Sequence, residues 1–193
     1  MAESPRRSRL FDAVQLGGVL DDMARQAAGL PGRDLPLAVV GVLRRGAPLA
    51  DLLAGRLAAC GLPAVRRLDL AISRYADDLT LLYPETRLVE DRAASPPDLA
   101  GQRVLLVDDV LYTGHSLLRA LDYLVRRGAE AVHAAVLADR CVTRLPLRAD
   151  VVGLRLQVAA GDIVECRVPP YEPDFGIVVV HRPSGEGAEG GAT

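Results

Sequence analysis

The stretch VLLVDDVLYTGHSL (residues 104–117) passes from a continuous apolar run through two aspartates to a Thr-Gly turn. Consecutive apolar residues of this kind predict a strand buried on both faces, over residues 104–110. The segment that follows, residues 115–128, repeats apolar residues at helical spacing and ends at a glycine, which is typical of a helix. We therefore expect Asp108 and Asp109 where a buried strand ends and a loop enters a helix.

The rest of the chain shows the same alternation of apolar runs and amphipathic segments. These patterns predict strands at 35–43, 64–73, 131–139, 149–158, 162–168 and 176–182, and helices at 11–30 and 47–61. Strand, helix, strand, helix with short joins predicts an α/β fold, in which a central, mostly parallel sheet is flanked by helices. Ligands of such sheets bind beyond the carboxyl ends of the strands.

The loop and helix start at residues 113–117 have the features of a phosphate site. Backbone N–H groups, the hydroxyls of Thr113 and Ser116, and the positive end of the helix dipole together suit a phosphate monoester. Asp108 and Asp109 beside them suit the opposite partners, namely sugar hydroxyls, a magnesium ion or developing positive charge. A ribose 5-phosphate would satisfy both halves of this site.

The composition excludes several kinds of chemistry. All 23 basic side chains among the 193 residues are arginines, and the formal net charge is −2. Without lysine the chain cannot form a Schiff base, complete a Walker A motif or hold ATP as protein kinases do. The three cysteines form no C-x-x-C pair and the three histidines lie far apart, so neither a disulfide framework nor a protein-built metal site is indicated.

The two ends and one internal stretch differ from the rest in composition. Residues 1–9 are polar and Arg-rich and residues 183–193 are rich in Gly and Glu, so we expect a mobile N-terminal tail and a disordered C-terminal tail around a single domain at 10–182. The polar stretch 74–97 is too long for an ordinary connection and is either a lid over the site or a β-hairpin. No apolar run approaches the roughly 20 residues that span a bilayer, so we expect no membrane contact and a cytoplasmic location.

Four segments carry a resemblance to a known family: VDDVLYTG (107–114), GVLRRGAPLADLLAGRL (41–57), ISRYADDLT (72–80) and LADRCVTRLPLRADVVG (137–153). They resemble, respectively, the motif that binds 5-phosphoribosyl-1-pyrophosphate (PRPP), the pyrophosphate loop, the lid and the D-R-G-H-R-E-L-P-I-R-A-D region of type I phosphoribosyltransferases. The likeness is strongest to the PyrR group, which combines pyrimidine-operon attenuation with uracil phosphoribosyltransferase activity. It implies the type I phosphoribosyltransferase fold, with a lid loop and a small hood beside the sheet.

The resemblance implies roles for individual residues. Asp108 and Asp109 would hold the ribose hydroxyls of PRPP and stabilise an oxocarbenium-like transition state. The other implied residues are Thr113, Gly114, His115 and Ser116 for the 5-phosphate, Leu43, Arg44, Arg45 and Gly46 for the pyrophosphate, Arg74, Tyr75, Asp77 and Asp78 on the lid, and Asp139 and Arg140 near the nucleobase. A non-proline cis peptide bond in the pyrophosphate loop is also implied, as is magnesium (Mg²⁺) carried in by PRPP without a protein metal cage.

The chain departs from the PyrR pattern after Gly153 and at three places that bear on the predicted site. The usual Y-T-G-R-T loop has His115 and Ser116 after its glycine, so the phosphate contact is expected to be weaker or pH-dependent. The lid arginine stands two positions earlier than usual, at Arg74. The usual G-H-R-E has become C-V-T-R at residues 141–144, in a neighbourhood on which uracil selection and RNA contact both draw in the family.

The sequence leaves three functions open. The first is a magnesium-dependent phosphoribosyltransferase that joins PRPP to a nucleobase, with uracil favoured, to give UMP and pyrophosphate. The second is a PyrR-like, RNA-binding transcriptional attenuator that senses pyrimidine nucleotides on an mRNA leader, with little or no catalysis. The third is a sibling transferase for another base. The resemblance also implies a homo-oligomer, either a dimer or a tetramer.

Overall fold

The computed structural model of the chain describes residues 6–62, 64–72, 74–75, 81–83, 87–89 and 98–181. Its helices are α1 (Ala13–Ala28), α2 (Gly46–Ala59) and α3 (His115–Arg126). Its strands are β1 (Arg6–Phe11), β2 (Leu37–Val42), β3 (Val65–Ala71), β4 (Arg74–Tyr75), β5 (Leu81–Tyr83), β6 (Arg87–Val89), β7 (Arg103–Leu111), β8 (Ala131–Asp139), β9 (Val151–Arg155), β10 (Ile163–Arg167) and β11 (Gly176–His181). The predicted alternation of strands and helices is therefore confirmed, with most ends shifted slightly.

The central sheet has six strands in the order β6-β3-β2-β7-β8-β9, and all except β6 run parallel to their neighbours. Gly41 of β2 pairs with Val107 of β7, and Leu111 of β7 pairs with Asp139 of β8. The carboxyl ends of these three neighbouring strands consequently lie side by side. This arrangement confirms the mostly parallel α/β sheet expected from the sequence.

Helices cover both faces of the sheet, which explains why every residue of β2 is buried. Val39 packs in one apolar core with residues of α1 and α2, whereas Val40 packs in a second core with residues of α3. Successive side chains of a strand point to opposite faces, so a continuous apolar run can feed both cores. The continuous runs in the sequence thus correspond to strands with no solvent-facing side.

Helix α1 begins where the sequence supplies a capping residue. The side chain of Asp12 accepts a hydrogen bond from the backbone N–H of Gln15 at 2.9 Å, and the side chain of Gln15 accepts one from the backbone N–H of Asp12 at 3.0 Å. This reciprocal capping box satisfies N–H groups that a helix start leaves without partners. The helix therefore starts after Asp12, while Phe11, expected inside it, belongs to β1.

A smaller antiparallel sheet of three strands, in the order β1-β11-β10, forms the hood. The expectation of a mobile tail at residues 1–9 is wrong for residues 6–9, which pair with β11 from His181 to Val178. Without β1, the apolar strand β11 would have one edge of backbone groups unpaired. The sequence did not indicate this role, because a run of arginines is typical of a solvent-exposed tail. The ion pairs of these arginines, such as Arg7 with Glu165 at 2.8 Å, form only in the folded chain.

Several expectations fall on residues that the structure does not describe, or describes only in part. In the stretch 74–97, β4 and β5 pair as antiparallel strands, in agreement with the β-hairpin alternative. Asp77, Asp78 and the predicted tail at 183–193 lie outside the described residues. Within the described ranges, no helix is both long enough and apolar enough to cross a membrane.

Candidate active site

The predicted site residues follow three neighbouring strands of the central sheet. Residues 43–46, for which a pyrophosphate-binding role is predicted and which are called the pyrophosphate loop below, follow β2. Asp108 and Asp109 lie near the end of β7, and Asp139 ends β8. Because β2, β7 and β8 are parallel neighbours, their carboxyl ends meet at one edge of the sheet. The structure therefore brings together residues that are far apart in the sequence.

The pyrophosphate loop packs directly against the strand that carries the aspartates. A Cβ atom on Gly46 would lie 2.5 Å from the carbonyl oxygen of Val107 and 3.1 Å from Cα of Asp108, so only glycine allows this approach. The peptide bond between Leu43 and Arg44 is cis, which confirms the expectation for this loop. On the other side, the N–H of Leu43 donates to the carbonyl oxygen of Leu70 at 2.9 Å.

The two aspartates lie inside β7 and not beyond it, because this strand continues to Leu111 alongside β8. Both carboxylates are half-buried, and the backbone N–H of Asp109 donates to Oδ1 of Asp108 at 2.9 Å. No group of three His, Cys, Asp or Glu side chains among the described residues is placed to hold a metal ion. The two carboxylates nevertheless offer the hard oxygen donors that Mg²⁺ prefers, so they fit an ion that brings most of its ligands with a phosphorylated substrate.

The predicted 5-phosphate residues gather at the start of α3. Gly114 caps this helix with a φ of 91°, and no side chain makes a capping hydrogen bond there. His115 and Ser116 are exposed, and Nδ1 of His115 lies 3.0 Å from Oγ1 of Thr113. A helix start with exposed polar side chains and no side-chain cap is suited to an anion, since its first N–H groups and the helix dipole both favour negative charge.

The altered segment 141–144 packs against this helix start. The backbone N–H of Arg144 donates to the carbonyl oxygen of Thr113 at 3.1 Å. A Cβ atom on Gly114 would lie 3.3 Å from Cγ2 of Thr143, so the two loops are in close contact. A change in the 141–144 segment therefore reaches the predicted phosphate site directly.

Asp139 and Arg140 already have partners within the fold. The backbone N–H of Cys141 donates to Oδ1 of Asp139 at 2.8 Å. The side chain of Arg140 is buried, with the residue 4% exposed, and its Nη1 donates to the carbonyl oxygen of Asp162 at 2.9 Å. Its guanidinium carbon also lies 5.4 Å from the centre of the half-exposed Tyr112 ring. Arg140 thus ties the end of β8 to the residue that precedes β10 of the hood.

Three residues at this site were not singled out by the sequence: Cys166, Tyr171 and Glu172. Both Nε and Nη2 of Arg45 donate to Oε1 of Glu172, the first at 2.9 Å, and the backbone N–H of Val168 donates to Oε2 at 2.8 Å. The guanidinium carbon of Arg44 lies 5.5 Å from the centre of the Tyr171 ring. Arg45 and Glu172 are 127 positions apart, so no local pattern could have revealed the contact.

Electrostatics reinforce the link between Arg45 and Glu172. The hydrogen bond to Glu172 raises the pKa of Arg45 against the opposing effect of burial, and the nearby charge of Asp109 adds to the rise. Burial alone would raise the pKa of Glu172, but the hydrogen bonds from Arg45 and Val168 outweigh it and hold that pKa below its ordinary value. Both partners are therefore charged at neutral pH.

Cys166 connects the hood to the strand that carries the aspartates. The residue is 1% exposed, and its Sγ lies 3.7 Å from the carbonyl oxygen of Asp109, to which the thiol donates. Burial raises the pKa of this thiol well above its ordinary value, and the charge of Asp109 raises it further. The thiol therefore stays neutral, acting as a packed residue with a weak hydrogen bond.

The lid residues are only partly covered by the structure. The backbone of Arg74 and Tyr75 forms β4, and Asp77 and Asp78 lie outside the described residues. Their predicted roles over the site stay predictions.

Comparison with known proteins gives a consistent result. A family model described as phosphoribosyl transferase domain matches residues 9–173. The chain is 43% identical over 133 residues to a protein named bifunctional protein PyrR from Deinococcus radiodurans, across 68% of this chain and 72% of the relative. It is 35% identical over 172 residues to the protein of the same name from Actinobacillus pleuropneumoniae, across 89% of this chain and 95% of the relative.

Solved structures show the same architecture. Hypoxanthine phosphoribosyltransferase from Trypanosoma cruzi, in complex with the product IMP, superimposes with a TM-score of 0.65 at 22% identity, covering 95% of this chain and 94% of that chain. The enzyme of that name from Staphylococcus aureus gives a TM-score of 0.62 at 18% identity, with 81% of this chain and 80% of that chain covered. At these identities the likeness concerns the fold and does not extend to the base that is bound.

Proposed function

The chain belongs to the phosphoribosyl transferase domain family, and from this membership we propose that it transfers ribose 5-phosphate from PRPP to a nucleobase and releases pyrophosphate. Uracil is the base we propose, which makes UMP the product. The Mg²⁺ that accompanies PRPP is part of the same proposal.

The observation that carries the proposal is a pair of helix starts that flank two carboxylates. Helix α2 begins at Gly46, directly after β2, and helix α3 begins at His115, shortly after β7. Neither start has a side-chain cap, and β2 and β7 are neighbours, so two positive helix ends face the same edge of the sheet. PRPP has a phosphate at one end, a pyrophosphate at the other and a ribose between them, which matches this order of charges.

In the proposed mechanism, the start of α3 binds the 5-phosphate while Asp108 and Asp109 bind the ribose. The two carboxylates accept hydrogen bonds from the ribose hydroxyls and so fix the sugar ring relative to both phosphate sites. As the bond from C1 to pyrophosphate breaks, positive charge develops on the ring, and nearby carboxylates stabilise it. Fixed positions of the reacting groups contribute most of the remaining rate enhancement.

The pyrophosphate loop would hold the leaving group. Arg44, Arg45 and the start of α2 place positive charge where negative charge accumulates as pyrophosphate departs. Bound together with PRPP, Mg²⁺ would neutralise charge on the pyrophosphate oxygens, with Asp108 and Asp109 as the carboxylates available to it. A ring nitrogen of the base forms the new bond to C1 and loses its proton to the surrounding water or to the departing pyrophosphate.

The nucleobase site is proposed to lie beside Asp139 and Arg140, between the end of β8 and the hood. Asp139 and Arg140 hold the backbone and the hood in place through the contacts described above, and Tyr112 presents a half-exposed ring next to Arg140. An exposed aromatic face suits the stacking of a flat base. We propose that recognition of uracil draws on this neighbourhood.

The proposal is tested by the release of pyrophosphate from PRPP and Mg²⁺ in the presence of uracil, orotate, hypoxanthine, guanine or xanthine. Turnover with uracil well above turnover with the other bases is the expected result. Turnover with a purine in its place would reject uracil and keep the transfer reaction. If no base gave pyrophosphate release, the result would contradict an enzymatic role and favour a protein that binds PRPP or nucleotides without turning them over.

A second candidate function is transcription attenuation through an mRNA leader, and one observation favours it. The relatives that match the chain at 35–43% identity are named as bifunctional proteins, and the PyrR resemblance implies that the second function is RNA binding. A gel-shift assay with the leader transcript of the protein's own operon, performed at several salt concentrations with UMP present, tests this function. Unchanged mobility at low salt would rule it out.

The resemblance also leads us to propose that the chain forms a dimer or a tetramer. Sedimentation equilibrium at several protein concentrations measures the mass of the assembly directly. A mass equal to that of one chain throughout would reject this part of the proposal.

A further inference from the structure

We propose that Tyr171 and Glu172 of the hood are positioning residues for the pyrophosphate loop, and that they give its two arginines different tasks. Glu172 holds the side chain of Arg45, which thereby links the hood to the central sheet. Tyr171 positions the side chain of Arg44, which binds pyrophosphate. This inference rests on the function proposed above for residues 43–46.

The first step of the argument is that Glu172 uses both of its carboxylate oxygens. Oε1 accepts two hydrogen bonds from Arg45, and Oε2 accepts one from the N–H of Val168 at 2.8 Å. The side chain of Glu172 is only 17% exposed, so water competes poorly for these bonds. An amide has one acceptor oxygen, so glutamine at this position cannot serve Arg45 and Val168 together.

The second step is that the hood holds Glu172 itself in place. The N–H groups of Tyr171 and Glu172 both donate to the carbonyl oxygen of Val168, at 3.1 and 3.3 Å, in a tight turn. An ion pair between Arg167 and Asp174, with Nε to Oδ1 at 2.7 Å, joins the two sides of this turn. The partner of Arg45 is therefore part of a well-braced segment.

The third step is that the guanidinium groups of the two arginines differ in how strongly they can attract an anion. The charge of Arg45 is offset by Glu172 and lies near Asp109, so it attracts pyrophosphate less strongly than the charge of Arg44 does. Arg44 is exposed and has its guanidinium over the ring of Tyr171. Stacking on an aromatic ring uses the face of a guanidinium, while its N–H donors lie in its plane, so the contact with Tyr171 does not use up the donors that phosphate oxygens need.

These contacts also give the hood a direct influence on the leaving-group site. Gly46 packs on β7 from one side, and Glu172 holds Arg45 from the other, so the loop is held between the sheet and the hood. A displacement of the hood turn would change the position of Arg45 and, through the adjoining peptide, that of Arg44.

A double-mutant cycle tests whether Glu172 acts through Arg45. Arg45→Gln, Glu172→Gln and the double variant are compared with the wild type for kcat/KM of PRPP, KM of uracil and Kd of PRPP with Mg²⁺ by calorimetry. We expect each single variant to lose about tenfold in kcat/KM for PRPP. The double variant should lose no more than the less active of the two single variants, because Glu172 has no effect once Arg45 is removed. The KM of uracil should stay within about twofold, because the effect is confined to the pyrophosphate side.

Glu165→Gln is the matched control, since Glu165 lies in β10 of the hood and pairs with Arg7 of β1 but belongs neither to the turn that carries Glu172 nor to the loop. We expect this variant to keep the PRPP parameters of the wild type. An equal loss in Glu165→Gln would show that general hood stability is measured, and losses that multiply in the double variant would show that Glu172 does not act through Arg45. Either result overturns the inference.

The second arm concerns Arg44 and Tyr171. Arg44→Gln should weaken PRPP binding by more than Arg45→Gln does, and Tyr171→Leu should weaken it severalfold, with recovery in Tyr171→Phe, which keeps the ring. Equal losses from the two arginine variants would overturn the division of tasks. A wild-type protein that does not bind PRPP at all would overturn the proposed function itself, whereas normal PRPP binding in Glu172→Gln overturns only the inference drawn here.

Discussion

Gly46 is the position at which one added methyl group should separate the pyrophosphate loop from the strand that carries the aspartates. In Gly46→Ala, the new Cβ would lie 2.5 Å from the carbonyl oxygen of Val107, whereas ordinary contact begins at 3.4 Å. The loop must therefore retreat by about 0.9 Å, because Val107 belongs to a central strand that cannot move easily. Misplacement by about 1 Å can cost roughly 100-fold in rate, and overpacking of this kind costs about 1–3 kcal/mol of stability.

The assay for this variant is pyrophosphate release at saturating base, together with thermal unfolding to establish the folded fraction. Gly55→Ala is the matched control, because Gly55 lies in the same helix and a Cβ there would meet nothing within 4 Å. We expect it to keep full activity and to gain about 0.5–1 kcal/mol in unfolding free energy, since alanine is the better helix former. Wild-type activity in folded Gly46→Ala would refute the argument that close contact with β7 sets the position of the loop.

Three further outcomes are expected. Asp109→Asn should lower turnover by about 10²–10³-fold with an unchanged melting temperature, as measured by pyrophosphate release; full activity would refute its role. A hydrogen bond from Arg167 lowers the pKa of Asp174 below its ordinary value of 3.8. Burial raises the pKa of Glu172, but the hydrogen bonds from Arg45 and Val168 and the charges of Arg45 and Arg167 together hold it below its ordinary value of 4.5. A lowered folded-state pKa stabilises the fold above these values, so the melting temperature should fall between about pH 5 and pH 3, and should fall less in Glu172→Gln. Asp12→Ala, which removes the cap of α1, should cost about 1 kcal/mol in chemical unfolding and leave kcat/KM for PRPP unchanged; an unaltered unfolding curve would show that the capping box contributes no stability.

Much of the architecture could be predicted because its signals are local. The apolar runs that became β2, β7 and β8 are buried on both faces, and that pattern alone predicts a parallel sheet. The parallel order in turn predicts that residues after β2 and β7 meet at one edge. The start of α3 after its Thr-Gly turn was predictable for the same reason.

Polarity patterns gave wrong predictions for segments whose structure depends on hydrogen bonds or ion pairs with residues far away in the sequence. Residues 6–9 look like a solvated tail, but they form an edge strand whose arginines pair with Glu165 and Asp174. The strand predicted over 104–110 also extends further, to Leu111, because backbone pairing with β8 continues to that residue. In each case hydrogen bonds from another strand outweigh the local preference of the sequence.

Local sequence patterns were sufficient to predict the α/β class, the helix start with the features of a phosphate site and the place of the two aspartates, because each depends on residues within a few positions of one another. The contact between the hood and the pyrophosphate loop, in contrast, is visible only in the folded chain. The contact between Arg45 and Glu172 spans 127 positions of the sequence. In the sequence, Arg45 is typical of an exposed basic turn and Glu172 is a single glutamate near prolines, so neither indicates the other. Periodicity and capping patterns report on neighbours along the chain, whereas a contact of this kind exists only once β10 and β11 have folded over the end of β7.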